Sequence, residues 1–175
     1  MATWKIDAAH SEIQFKIRHL MITNVTGSFT AFDATLESEK DDFTDAKINF
    51  STEVASITTN NEQRDGHLKS ADFFDVEKYP QIKFTSTKIE KVDDEEYKLT
   101  GDLTIRDVTK PIELEVEFGG VTVDPYGQTK SGFELKGKLS RKEFGLTWNA
   151  TTETGGVVLS DDVKLLLNVQ MIKQA

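Results

Sequence analysis

The 175-residue chain is 37% hydrophobic and 29% charged, carries a net charge of −9 and contains no cysteine. Without thiols it forms no disulfides, thiol nucleophiles or thiolate metal sites, and its acidic balance disfavours nucleic acid and electrostatic docking on anionic leaflets. Eleven Phe against three Tyr and two Trp favour a dry interior, because Phe has no polar handle to satisfy.

The length fits one domain over residues 1–175. The start, Met-Ala-Thr-Trp-Lys-Ile-Asp, has no basic segment followed by an apolar run, and no apolar run approaches a membrane span. The expectation is a soluble, cytoplasmic protein with no stable membrane insertion and no nucleic-acid partner.

Alternation with period two begins at "SEIQFKIRHL", where Ile13, Phe15 and Ile17 share one face and His19 continues it. In "VTGSFTAFDATLE" the apolar phase switches near Phe29–Phe32, as a bulge or strong bend would require. "AKINFSTEV" resumes through Ala46, Ile48, Phe50 and Val54. "TNNE" at Thr59–Glu62 has capping-box form and predicts a short helix over roughly residues 60–70; Pro80 then forces extended chain. "QIKFTSTKI" and "YKLTGDLTIRD" carry Ile82, Phe84, Tyr97, Leu99, Leu103 and Ile105 inward. "PIELEVEFGGVTV" shifts phase across Gly119-Gly120, a bulge or corner, and "DPYG" at Asp124–Gly127 is a turn. "SGFELKGKLS" and "DDVKLLLNVQMI" complete about eight strands. Short polar connections imply antiparallel neighbours, and this many strands must either close or stack into two sheets; the fold class is all-β, one domain with one short helical insertion.

A closed barrel of eight strands either fills its interior or holds one small ligand. Gly27, Gly101 and Gly137 sit on apolar faces, where they remove volume and lean towards a cavity. On periodicity alone a filled core is favoured.

Chemistry is sparse. His10, His19 and His67 are the only histidines, and their spacing is that of no metal motif. His10-Ser11 reads as a strand pair pointing to opposite faces. No G-x-S-x-G elbow is present, and the Gly119-Gly120 and Gly155-Gly156 pairs lack the Lys and helix of a phosphate cradle. Asp41-Asp42, Asp93–Glu96 and Asp161-Asp162 read as solvated turns. No catalytic residue, metal or cofactor is expected.

Several stretches, in order, resemble one family. "DAAHSEIQFKIRHLMITNVTGSF", "RDGHLKSADFFDVEKYPQIKF", "GDLTIRDVTKPIELEVEF", "RKEFGLTWN" and "LSDDVKLLLNVQ" together are similar to the YceI-like, polyisoprenoid-binding family, from Trp4 to about Ile172. Asp107 stands where many relatives have glycine. The resemblance implies an extended eight-stranded antiparallel, lipocalin-like barrel with one short helix against it and an elongated apolar cavity for a polyisoprenoid tail of quinone or prenyl-phosphate type, and it allows a homodimer. On that reading Phe15, Ile17, Phe29, Ile48, Phe50, Phe84, Leu103, Val116 and Phe133 line the bore. Leu68, Phe73 and Phe74 seal it, or only anchor their loop. His19 borders it, and His10, Arg64, His67 and Arg141 are the head-group candidates. The function expected is a non-catalytic carrier of a hydrophobic small molecule, bound as ligand. An enzyme acting on such a lipid through its histidines, or a filled structural or stress-associated domain, stays open at this stage.

Overall fold

Each alternating run becomes a barrel stave, and the breaks in alternation become the breaks between strands. The computed structural model describes residues 2–20, 22–147 and 159–175. The strands are β1 (Ala2–Ile6), β2 (Glu12–His19), β3 (Thr23–Phe29), β4 (Phe32–Ser38), β5 (Lys47–Glu53), β6 (Ile57–Thr58), β7 (Gln81–Lys91), β8 (Glu96–Ile105), β9 (Val108–Val123), β10 (Thr129–Ser140) and β11 (Leu159–Lys173), with one helix, α1 (Glu62–Lys69).

All neighbours are antiparallel, and β1 pairs with both β4 and β11, which closes the ring. The C-terminal residues of β11, Met171–Lys173, pair with β1, and Leu159–Asn168 pair with β2. In the same way β4 continues the line of β3, and β6 that of β5. The barrel therefore has eight staves, three of them interrupted. The interruptions are a 3-10 turn at Ala8–His10, a bend at Thr30–Ala31 and a 3-10 turn at Val54–Ser56. The bend is the phase switch expected near Phe29–Phe32. β1 has no counterpart among the eight predicted runs; five residues give alternation too little length to register.

Other departures are local. Asn61, not Thr59, caps α1, its side chain accepting from the Arg64 amide at 3.0 Å; the Thr59 hydroxyl instead donates to Asp65 at 2.5 Å. His10-Ser11 lies at the 3-10 turn rather than in a strand, and Ser11 Oγ accepts from the Gln170 amide at 3.0 Å. Asp161-Asp162 belongs to β11 instead of a turn, facing Lys142 and Lys138 across 3.3 and 3.2 Å. Gly119-Gly120 does form a bulge: Gly132 pairs with Gly120 and Phe133 with Phe118, and Gly120 has φ of +104°. Trp148, Asn149 and Gly155-Gly156 lie outside the described residues.

The eight staves do not close uniformly. β6 is two residues long and, among the described residues, pairs only with β3, so beyond the β5–β7 ladder no strand pairing joins β6 to β7. The 59–80 segment occupies that gap. It is tied to the neighbouring turns by Arg106, whose guanidinium stands 5.5 Å from the Tyr79 ring centre and donates to the Gly145 carbonyl at 3.2 Å.

Candidate functional site

The inward faces do not meet. A cavity of about 560 Å³ runs inside the barrel and is almost wholly apolar, within the usual size of small-molecule sites. The filled interior favoured by periodicity is therefore not what this chain builds. The reason is visible in the glycines. A Cβ at Gly27 would run into the Phe15 ring, one at Gly101 into the Phe84 ring, and one at Gly137 into Leu114. These glycines do not leave empty volume of their own. They let a neighbour's side chain lie flat along the wall, and so keep it off the barrel axis.

One end is a floor. The β4–β5 loop, residues 39–46, folds under the barrel and inserts Phe43, which is 3% exposed. Its ring borders the cavity beside Phe133 at a centroid distance of 5.6 Å. Trp4 and Phe118 stand against it edge-on at 5.5 and 5.4 Å, outside the cavity lining. Phe43 adopts φ of +61°, a left-handed conformation that costs a bulky residue about 1–3 kcal/mol. That conformation serves two successive turns, the Phe43 amide donating to Lys40 and the Ala46 amide to the Phe43 carbonyl. Asp45 holds the loop further, accepting from Ser38 Oγ at 2.6 Å and from the Glu39 and Lys40 amides at 2.8 and 3.2 Å. These bonds, the Ser38 hydroxyl foremost, bring its carboxyl down to about 2. The Tyr97 hydroxyl donates to the Asp42 carbonyl at 2.6 Å.

The opposite end is a mouth with polar side chains. His19 closes β2, Thr59 follows β6, Gln63, Arg64 and His67 come from α1, and Arg141 follows β10; all border the cavity. Arg64 is exposed but fixed, Nε donating to Thr59 Oγ1 at 2.7 Å and Nη2 to the Thr59 carbonyl at 2.8 Å. His67 Nε2 lies 2.8 Å from Asp72, and its ring meets Phe73 edge-on at 5.0 Å. Arg141 is 2% exposed and donates to the Ser160 and Leu146 carbonyls at 2.8 and 2.7 Å. Burial pushes its guanidinium below the ordinary value, and Asp161 partly offsets this. It keeps its proton at any physiological pH, as arginine guanidiniums in proteins do.

Of the seventeen residues expected to line, seal or border the bore, sixteen border this one cavity, from Phe15 on β2 to Arg141 after β10, with Arg64, Leu68 and Phe73 among them. Phe74 meets Phe29 edge-on at 6.3 Å. His10 does not belong to the set. Its side chain is 62% exposed and paired with Asp7 at 2.8 Å, outside the cavity lining. His19 is half-buried at the mouth. The sequence reading missed Phe43, Thr52, Gln63 and Leu146. Thr52 carries no signal of polarity into the bore, because its hydroxyl donates to the Ala31 carbonyl at 2.9 Å. Among the described residues no group of three or more His, Asp or Glu is placed to hold a metal ion, and no helix is long and apolar enough to cross a membrane.

The YceI-like domain profile matches residues 4–171, nearly the whole chain. The chain belongs to the YceI-like family. A UPF0312 protein of Staphylococcus aureus is 39% identical over 165 residues, covering 94% of each chain. The crystal structure of the Campylobacter jejuni YCEI protein is 39% identical, with a TM-score of 0.78 over 91% of each chain. Two more distant structures share the fold. BcnA of Burkholderia cenocepacia has a TM-score of 0.82 at 20% identity, over 94% of this chain and 98% of that one. A polyisoprenoid binding domain from Saccharophagus degradans has 0.73 at 12%, over 98% of each. The closed antiparallel barrel with a single short helix is thus the YceI-like fold.

Proposed function

We propose that this YceI-like protein binds and carries an amphipathic lipid of isoprenoid type, a quinone or prenyl phosphate, with its tail in the barrel and its head group at the mouth. The observation that carries the reading is the one-sided polarity of the cavity: hydrocarbon at the floor and wall, cations and hydrogen-bonding side chains at the opposite end. A branched hydrocarbon has no polar atom to leave unpaired in such a bore. Each buried five-carbon unit contributes about 3–4 kcal/mol at ~0.8 kcal/mol per CH₂. Association costs on the order of 4–15 kcal/mol, so a few units suffice. Arg64 and His67 stand where an anionic or carbonyl-bearing head would emerge. The shared fold with a domain named for polyisoprenoid binding supports this tail chemistry. Catalysis forms no part of the proposal.

Native mass spectrometry of freshly purified protein, compared with solvent-extracted protein, tests it. The expected result is a bound isoprenoid lipid that extraction removes and that returns when the lipid is added back. A protein that arrives empty and takes up neither prenyl phosphate nor quinone sinks the reading.

A further inference from the structure

The floor of the cavity is one residue thick where it matters. Phe43 is the side chain of the β4–β5 loop that borders the bore, and it does so at the end opposite Arg64 and His67. Beneath it lie Trp4 and Phe118, which contact its ring but not the cavity. The loop that presents it is fastened at both flanks, by Asp45 to Ser38 and by the Asp42 carbonyl to Tyr97. Its left-handed backbone is a conformation that a bulky residue rarely holds.

Resting on the lipid-carrier reading, we infer that Phe43 is the gauge of tail length: its ring meets the terminal methyl groups of the bound chain and sets how many units the bore admits. Truncation to alanine removes about six ring carbons from a site backed by rigid aromatic neighbours, a void that fills from the ligand side if the site does not collapse. The room gained is about one five-carbon unit. Leucine leaves an intermediate depth, and tryptophan shortens the bore.

The test offers extracted wild type, Phe43→Ala, Phe43→Leu and Phe43→Trp an equimolar mixture of all-trans prenols stepping by one five-carbon unit, with bound species read by native mass spectrometry. Expected is a preferred length one unit longer in Phe43→Ala than in wild type, and no longer than wild type in Phe43→Trp. The same preferred length in every folded variant overturns the inference, whatever the variants do to thermal stability. Should the alanine form fail to fold, the leucine and tryptophan forms carry the comparison. A wild type that binds no prenol counts against the carrier reading alone. Straight-chain 1-alkanols of matching lengths then replace the prenols: a shift with residue 43 upholds the gauge, and no shift or no uptake overturns it.

Discussion

The two ends of this barrel are built from different physics. At the floor, five aromatic residues (Trp4, Phe43, Tyr97, Phe118 and Phe133) stack edge-on or offset at 5.2–6.2 Å. Each such pair adds ~0.5–1.5 kcal/mol beyond burial. At the mouth, α1 has no fully buried residue, and the 59–80 segment is held by hydrogen bonds, one cation over a ring, the buried Phe73 and the half-buried Leu68 and Phe74. Aromatic packing is denser at the floor than at the mouth, the distribution that the proposed carrier would need if the 59–80 segment opens to admit a ligand. The polarity of the lining follows the same division.

The strongest way to break that contrast is to weaken the floor. Trp4→Ala should cost about 3–5 kcal/mol, the usual range for a buried large aromatic, read as a lower urea midpoint. A loss under about 1 kcal/mol would mean that the floor is not where stability resides. Next comes the wall between the two ends. A Cβ at Gly101 would meet the Phe84 ring and stand 2.6 Å from the Thr85 carbonyl oxygen. The backbone atom has little room to retreat, so Gly101→Ala should cost about 1–3 kcal/mol. It should also push the Phe84 ring towards the axis and reduce lipid uptake. Unchanged stability and uptake together would refute the account of how the bore is kept clear.

At the mouth the balance should invert. Phe74 is half-buried and packs on Phe29, so Phe74→Ala should cost only about 1–2 kcal/mol of stability. Lipid retention in an off-rate measurement should drop by more, about a hundredfold, equivalent to ~2.8 kcal/mol of binding. If the losses are equal, Phe74 serves only as an anchor for its loop.

What alternation could convey was the wall. A period of two assigns Phe15, Ile17, Phe50, Phe84 and Val116 to one side without knowledge of any partner strand. It could not say whether those side chains meet, because that depends on pairs such as Phe15 with Gly27, set by cross-strand register. The floor was hidden for another reason. Phe43 sits in "DDFTDA", a polar loop where face has no meaning, and its inward direction comes from a positive φ and hydrogen bonds made across the loop. The mouth was legible only through the family resemblance, since Arg64, His67 and Arg141 sit on a helix and a 3-10 turn, where strand phase does not apply.

The finest contrast between the two ends lies in acid. Asp45 is held at about 2 against an ordinary 3.8, first by the Ser38 hydroxyl and then by the amides of Glu39 and Lys40. The folded floor therefore prefers the carboxylate more than the unfolded chain does, and the sign follows. The contribution is complete above the unfolded value and disappears as pH falls from about 4 towards 2. In Asp45→Asn the amide keeps an acceptor oxygen but loses the charge, so its stability should be lower at neutral pH and flatter across that acid window than wild type. Hydrogen exchange locates the effect. Between pH 4 and 2 the Glu39 and Lys40 amides should lose protection relative to amides at the mouth, such as that of Arg64, which Asn61 caps without a charge. Parallel loss at both ends would show that the floor loop melts only with the whole barrel, and that the carboxylate adds nothing local to it.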